Sequence, residues 1–333
     1  MQKRKLGTGG AQVSAIGIGA MSFTDFYGPT DEKKSHQILS TALDLGIDHL
    51  DTSNVYGMGK SEQRIGSFLA KQGAARHDMF KIATKAGICS SEDGQRYFDN
   101  SPEHLMAELD GSLKRLGVDV VDLFYVHRRD QNIPIEDVTE TLVGFIKTGK
   151  IKQFGFSEIA PTSLARSAAI HPVGAVQSEY SLSTRTPELG LLQKTAELGA
   201  SLVAFSPVGR SLLSDHPHNR EKAESMGFLK NNPRFMEPNL TMNINAVDGF
   251  RKFAKELGVK TSTLAIAWLL HQGSHVLPIP GTRSTTHLKE LAKGVDLKLG
   301  ADELGLIEKL LPLGWAHGER YSQAQWVGPE KYG

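Results

Sequence analysis

The stretch Val120-Val121-Asp122-Leu123-Phe124-Tyr125-Val126-His127 decides the fold. Its apolar residues run in succession from Leu123 to Val126, so they cannot sort into one dry face and one wet face. Both faces of such a strand must be covered, as in the parallel sheets of α/β proteins; a half-exposed antiparallel strand would alternate. The flanks agree. Upstream, Ser101-Pro102-Glu103 supplies an N-cap, a proline at the first helical position and an acid in the first turn. Leu105, Leu109, Leu113 and Leu116 then recur at spacings of four, four and three, which draws one apolar stripe along a helix. Gly117 follows where a left-handed cap is wanted. Downstream, Ile135, Val138, Leu142 and Ile146 form a second stripe.

The same alternation runs through the chain. Candidate strands are Ile16–Met21, Asp48–Asp51, Phe80–Lys85, Val120–His127, Ile151–Phe156, Gly174–Gln177, Ser201–Phe205 and Val276–Ile279, with helical windows between them. Eight strands alternating with helices predict an α/β fold closed as a (β/α)8, or TIM, barrel. An open doubly wound sheet is the other arrangement, but it normally splits into halves about a switch point. No proline-, serine- or charge-rich linker divides this chain, so residues 1–333 are read as a single barrel domain. Lys3–Leu6 and Gln12–Ala15, around Thr8-Gly9-Gly10, predict an N-terminal hairpin capping the barrel. Gly209–Thr241, after the seventh strand, is polar and weakly periodic and is expected to form a long binding loop or lid.

Composition narrows the function. Of 333 residues, 38 are basic and 37 acidic, a net charge of +1 that argues against a nucleic-acid or anionic-membrane binder held by bulk charge. Apolar content of 39% fits a folded globule and not a disordered chain. Cys89 is the only cysteine, which excludes an internal disulfide and a multi-cysteine metal site. The longest apolar run, Leu264 to Leu270, is far short of the roughly 20 residues that span a bilayer. Met1-Gln2-Lys3-Arg4-Lys5 leads into no apolar stretch, so no signal peptide is read and a cytoplasmic setting is the expectation. No metal site is expected, and self-association is left open.

Several strings imitate motifs. Gly57-Met58-Gly59-Lys60-Ser61 looks like the end of a phosphate-binding loop, but Asn54 stands where its first glycine belongs; the plainer reading is a turn capping a helix. Gly17-Ile18-Gly19 begins a dinucleotide fingerprint whose third position is Ser22, and reads better as a tight turn. His216 and His218 have no third ligand nearby and read as solvated loop histidines.

The chemistry lies at the C-terminal ends of the strands, where barrels of this kind place reactive groups. Strand two ends in Asp51, with Tyr56 shortly after; strand three ends in Lys85 and strand four in His127. A phenol of pKa ~10 is a poor acid near neutrality. A nearby ammonium favours the phenolate, and an aspartate keeps that ammonium charged and in place. A histidine facing the same point can hydrogen-bond a carbonyl oxygen. Together they make an acid and an oxyanion site suited to carbonyl reduction.

At these residues the sequence resembles the aldo-keto reductase family, in particular the bacterial and plant branch that also resembles potassium-channel β subunits. The resemblance rests on Gly46-Ile47-Asp48-His49-Leu50-Asp51-Thr52-Ser53 with Tyr56-Gly57, then Ala83-Thr84-Lys85, Asp122-Leu123 through His127 and Gly155-Phe156-Ser157. It continues in Gln177-Ser178-Glu179-Tyr180-Ser181, Phe205-Ser206-Pro207-Val208-Gly209-Arg210 and Pro278-Ile279-Pro280-Gly281-Thr282-Arg283. These strings follow the family's order from residue 3 to about residue 295.

The resemblance implies a barrel that binds extended NADPH and reduces a small aldehyde or ketone. Asp51, Tyr56, Lys85 and His127 would be its catalytic tetrad, with Tyr56 the general acid. Ser157 and Gln177 would hold the nicotinamide carboxamide, and Tyr180 would stack on the ring. Ser206, Pro207, Val208, Gly209 and Arg210 would clamp the pyrophosphate. Gly281, Thr282, Arg283 and His287 would meet the 2′-phosphate, with Glu290 near the adenine. Two departures are visible: Glu158 stands where the family usually has Asn, and Leu291 follows Glu290 where an Asn is frequent. Glu158 is expected to accept from the carboxamide NH₂. The alternative implied by the same resemblance is a cofactor-binding, redox-sensing regulatory subunit without turnover.

Overall fold

The computed structural model describes residues 1–73 and 76–332. Eight strands form one sheet in which every pair is parallel: β3 (Ile18–Gly19), β4 (His49–Asp51), β5 (Lys81–Ala86), β8 (Val121–Val126), β9 (Ile151–Ser157), β10 (Ala175–Glu179), β11 (Ser201–Phe205) and β12 (Val276–Pro278). They are the eight strands expected, each end within two residues of its place in the sequence reading. The last strand meets the first and closes the barrel: Gly17 N–H donates to Pro278 O at 2.8 Å and Gly19 N–H to Pro280 O at 3.0 Å. No bonds return across this seam from the two prolines, which have no N–H. The strands approach closely here, since a Cβ on Gly19 would sit 2.7 Å from Ile279 O and one on Gly17 2.6 Å from the His49 ring.

The helices that follow the strands are α1 (Glu32–Asp44), α2 (Lys60–Ala70), α3 (Pro102–Leu116), α4 (Ile135–Lys147), α5 (Pro161–Ala168), α6 (Leu191–Glu197), α7 (Thr261–Leu270) and α8 (Thr285–Lys293). Their start and stop signals act as the sequence suggests. Ser101 Oγ accepts from His104 N–H, Pro102 opens α3, and Gly117 ends it at φ 68°. Strand alternation divides the core in two. Leu123 and Tyr125 point into the barrel with Ala83, Ala175, Val203 and Leu277. Phe124 and Val126, one residue away, pack outward against the helices. Burying one such side chain is worth roughly 1.5–3 kcal/mol, and β8 does so on both faces. The apolar segment Leu264–Leu270 is the buried face-all-round helix α7, and no described helix is long and apolar enough to cross a membrane.

The N-terminal hairpin, β1 (Lys3–Lys5) and β2 (Gln12–Ser14), plugs the bottom of the barrel. Leu6 and Val13 join the interior cluster, and Gly7 N–H donates to Ser201 Oγ at the start of β11. Solvent therefore reaches the interior from the opposite end, where the strands finish. Two insertions rim that end. A second hairpin, β6 (Ile88–Ser90) and β7 (Arg96–Phe98), rises after β5 and is absent from the sequence reading. The stretch 209–241 is more ordered than the expected loop. It holds a short helix at Arg220–Glu224, leads into another at Asn239–Ala246, and buries its own core of Leu212, Ala223, Met226, Leu229, Phe235 and Leu240. That core explains the difference, because the apolar residues are spaced for a compact satellite and not for one continuous helix face.

Candidate active site

Asp51, Lys85, Tyr56 and His127 converge at the open end of the barrel. Asp51 and Lys85 lie on adjacent strands and are 1% and 0% exposed. The Lys85 ammonium donates to Asp51 Oδ1 at 2.6 Å, to Thr52 O at 2.6 Å and to Tyr56 Oη at 3.4 Å. Gln177 Nε2 fixes the other carboxylate oxygen, Oδ2, at 2.7 Å. Burial works against the Lys85 charge, but the Asp51 carboxylate, with Tyr56, overrides it and lifts the ammonium above its ordinary pKa. The charged pair is thus held in a site where an isolated ammonium would cost several kcal/mol.

The phenol does not follow the expectation that Lys85 would draw its pKa down. Burial pushes Tyr56 up, and this exceeds the downward pull of Lys85. The protein alone therefore keeps Tyr56 as a neutral acid and hydrogen-bond donor. His127 is held well below its ordinary value, first by burial and then by the charges of Arg128, Lys85 and Arg96. Its imidazole is neutral at pH 7. Nδ1 lies 3.1 Å from Ser53 Oγ, and the ring meets Tyr56 edge-on at 5.8 Å. When Ser53, whose one hydroxyl hydrogen also reaches Lys85 O and Asn54 Oδ1 at 3.2 Å, gives it to Nδ1, Nε2–H is free to donate toward the same space as the phenol.

The residues expected around a cofactor are placed less uniformly. Ser157 ends β9, and its Oγ accepts from Arg128 Nη1 at 2.9 Å. Gln177 faces the mouth with its carboxamide shared with Asp51. Glu158 is not free to meet a carboxamide. Its Oε1 accepts from Arg320 Nη1 at 3.0 Å and from Glu179 N–H at 2.8 Å, and its Oε2 accepts from Arg320 Nη2. The backbone explains the usual Asn, since residue 158 sits at φ 58°, a left-handed conformation that Asn tolerates. Here a forked ion pair with a residue of the C-terminal tail holds Glu158 in that conformation instead.

Tyr180 is also misplaced by the sequence reading. It is 0% exposed, its ring packs edge-on against Trp268 at 5.8 Å, and its hydroxyl donates to Glu188. Its side chain belongs to the layer between strands and helices, so it cannot stack on a ring in the mouth. Phe205 offers that aromatic face: it ends β11, packs on the barrel interior above Val203, and is only partly buried.

Ser206, Pro207, Val208, Gly209 and Arg210 form a turn after β11 in which Ser206 and Arg210 have φ of 51° and 52°, followed by Ser211 at 88°. Non-glycine residues in this region cost of order 1–3 kcal/mol each and gather where backbone must be aimed. The Arg210 guanidinium is already paired, with Glu179 Oε2 at 2.8 Å and Tyr27 Oη at 3.1 Å. Gly281, Thr282 and Arg283 lead into α8, whose N-cap Ser284 accepts from His287 N–H; His287 is exposed and Glu290 is half-buried on the same helix. Among the described residues, Arg283 reaches only Pro29 O, at 3.4 Å. Lys222 and His218, both on the 209–241 satellite, come beside it: a Cβ on Gly28 would lie 3.0 Å from Arg283 Nη1 and 3.7 Å from Lys222 Nζ. His218 is pushed down by burial and by both cations. Lys222 was missed, and His218, read as a solvated loop histidine, is half-buried here; a loop's approach to a helix about 60 residues away leaves no local pattern.

This arrangement defines a class, and comparison agrees. The chain belongs to the aldo/keto reductase family, whose sequence profile matches residues 15–312. It is thus an NAD(P)H-dependent oxidoreductase of carbonyls on a TIM barrel. It is 36% identical over 300 residues to the aldo-keto reductase yakc of Schizosaccharomyces pombe, named with NADP(+), covering 89% of this chain and 87% of that one. It is 36% identical over 322 residues to probable aldo-keto reductase 1 of Glycine max, covering 96% and 92%. Among solved structures, the glycerol dehydrogenase AKR11B4 from Gluconobacter oxydans superposes with a TM-score of 0.81 at 25% identity, over 93% of this chain and 94% of that one. The holo form of AKR11C1 from Bacillus halodurans gives 0.77 at 27% identity, over 98% and 99%.

Proposed function

We propose that the protein reduces an aldehyde or ketone to the alcohol with NADPH, Tyr56 acting as general acid. The observation that carries this reading is the buried Lys85, shared between Asp51 and the Tyr56 hydroxyl beside a neutral His127. A reduced nicotinamide, when bound, supplies the hydride. Ser157 and Gln177 would hold its carboxamide, and Phe205, in place of Tyr180, would cover its ring. Tyr56 Oη and His127 Nε2 donate to the carbonyl oxygen, so charge developing there meets two fixed donors. Tyr56 then yields its proton to that oxygen, and the Lys85 ammonium, kept charged by Asp51, stabilises the phenolate left behind.

The residues present also fit the choice of NADPH. Among the described residues, Arg283 and Lys222 form no ion pair, and they stand together at the N-terminus of α8 with His218. A helix N-terminus flanked by uncompensated cations suits a compact dianion such as a 2′-phosphate. NADPH should be consumed when the protein is mixed with activated aldehydes such as nitrobenzaldehyde. Cofactor binding without turnover across a broad panel would defeat the enzymatic reading and favour a regulatory subunit. Arg283→Ala should weaken NADPH binding by roughly 1.5–3 kcal/mol and leave NADH nearly untouched. Dissociation constants for both cofactors check this, and equal losses would remove the 2′-phosphate assignment.

A further inference from the structure

The arginines around the mouth of the barrel divide into two sets. Arg129 pairs with Glu330, Arg210 with Glu179 and Arg320 with Glu158. Arg96, Arg128 and Arg234 form no ion pair among the described residues, and Arg234 is taken up by Ser183 O and Thr184 Oγ1. Arg128 is 8% exposed, donates only to neutral acceptors, Ser157 Oγ and His127 O, and leaves its Nε without a partner. Arg96, on β7, lies over the Phe98 ring at 5.4 Å. Phe98 and Arg128 both border Gly328: a Cβ there would sit 3.0 Å from Phe98 Cζ and 3.0 Å from Arg128 Cδ.

Both positive charges bear on His127, and each bears on the other. Arg96 is exposed at the rim; partial desolvation, followed by repulsion from Arg128, brings its guanidinium down to about 10, and Tyr321 opposes this. Two like charges have thus been gathered beside the proposed carbonyl donors, with no carboxylate from the protein to compensate them. Such an arrangement lacks an anion.

We propose that Arg96 and Arg128 bind a carboxylate on the substrate, so that the enzyme selects aldehydes or ketones bearing one near the reacting carbonyl. This inference rests on the carbonyl-reductase reading above. The two guanidiniums supply forked donors that match the two oxygens of a carboxylate, and Phe98 covers the bridge between them. The chemistry itself is unchanged: hydride adds to the carbonyl carbon, the Tyr56 proton to its oxygen, and the distant carboxylate is held without reacting. Arg96 and Arg128 are specificity residues; the bond-making groups remain Tyr56 and His127.

The test compares 4-carboxybenzaldehyde with its methyl ester, which is neutral and similarly activated at the aldehyde. The wild type should favour the acid in kcat/KM by about tenfold or more, the low end for a hydrogen bond to a charged group. The preference should shrink as salt is raised. In Arg96→Gln, and in Arg128→Gln, the acid-to-ester ratio should fall at least fivefold, whatever happens to the ester rate itself. An NADPH dissociation constant within twofold of wild type in Arg96→Gln shows that this variant is folded and that the pair does not serve the cofactor; Arg128→Gln is read on the ratio, because Arg128 also holds Ser157. Equal use of acid and ester by the wild type overturns the inference and leaves the reductase reading standing. A ratio unchanged in both variants, or a ratio change matched by lost NADPH affinity in Arg96→Gln, also overturns it. Reduction of neither aldehyde overturns both readings together.

Discussion

Tyr56→Phe is expected to lower carbonyl reduction by ~10²–10⁴-fold, the span that a positioned general acid supplies. The structure makes this a clean subtraction. Only one hydroxyl is lost, and Lys85 keeps its two shorter contacts, to Asp51 and to Thr52 O, so neither the fold nor the ammonium is disturbed. NADPH affinity should stay close to wild type. The pH profile gives a second readout. Reduction needs the protonated phenol, so its rate must fall as pH rises through the Tyr56 pKa. Burial sets that pKa above the ordinary phenol value, so the protein alone predicts no loss on this account through neutral and mildly alkaline pH. Steady-state kinetics with NADPH and a fixed aldehyde measure both effects, and a variant that keeps most of its activity would show that the acid lies elsewhere.

Arg320→Leu is expected to cost about 3–5 kcal/mol in stability, the range for removing one partner of a buried ion pair. Arg320 is 7% exposed and Glu158 5%, so the abandoned carboxylate has little water to turn to. It keeps only the Glu179 N–H, with the Glu179 carboxylate close by and of the same sign. Urea unfolding measures the loss. The double variant Glu158→Asn, Arg320→Leu should recover more than half of it, because it removes the orphaned charge and restores a residue at ease with positive φ. A single-variant loss below about 1 kcal/mol, the scale of an exposed pair, would mean that the tail is not clamped as described.

The barrel was legible because its information is periodic. Strands such as β8 must be apolar on both faces, and helices such as α3 carry a stripe, a cap and a stop. That Asp51, Tyr56, Lys85 and His127 meet was legible for a related reason, since strand ends in such barrels point to one mouth. Tyr180 fails by a parity that the sequence already contains. Ala175 and Gln177 share one face of β10, so residue 180 belongs to the other, whereas Phe205 shares the inward face with Val203. The hairpin β6–β7 left a signal too: Asp93-Gly94, a strong turn dipeptide, stands between Ile88-Cys89 and Tyr97-Phe98. Its strands are mostly exposed and carry no apolar alternation, so strand patterning passes over them. The partnership of Glu158 with Arg320 left no signal at all. The two are 162 residues apart, and each alone reads as a surface charge.

The one-sided seam bears on how the chain survives its own synthesis. β3 is made first among the barrel strands and β12 last, roughly 250 residues later. At common translation speeds β3 waits roughly 10–50 s for its partner, with an open sheet edge available to any neighbouring nascent chain. That edge is a poor template. β3 is only two residues long, preceded by Gly17 and ending in Gly19, whose open backbone gains little from pairing with a stranger. The β12 edge, which exists only once that strand is made, is blunted too, because Pro278 and Pro280 cannot donate to an incoming strand. The native seam is satisfied with two amide donors from one side only. The same sparing use of hydrogen bonds that closes the barrel thus guards both of its unfinished edges against aggregation.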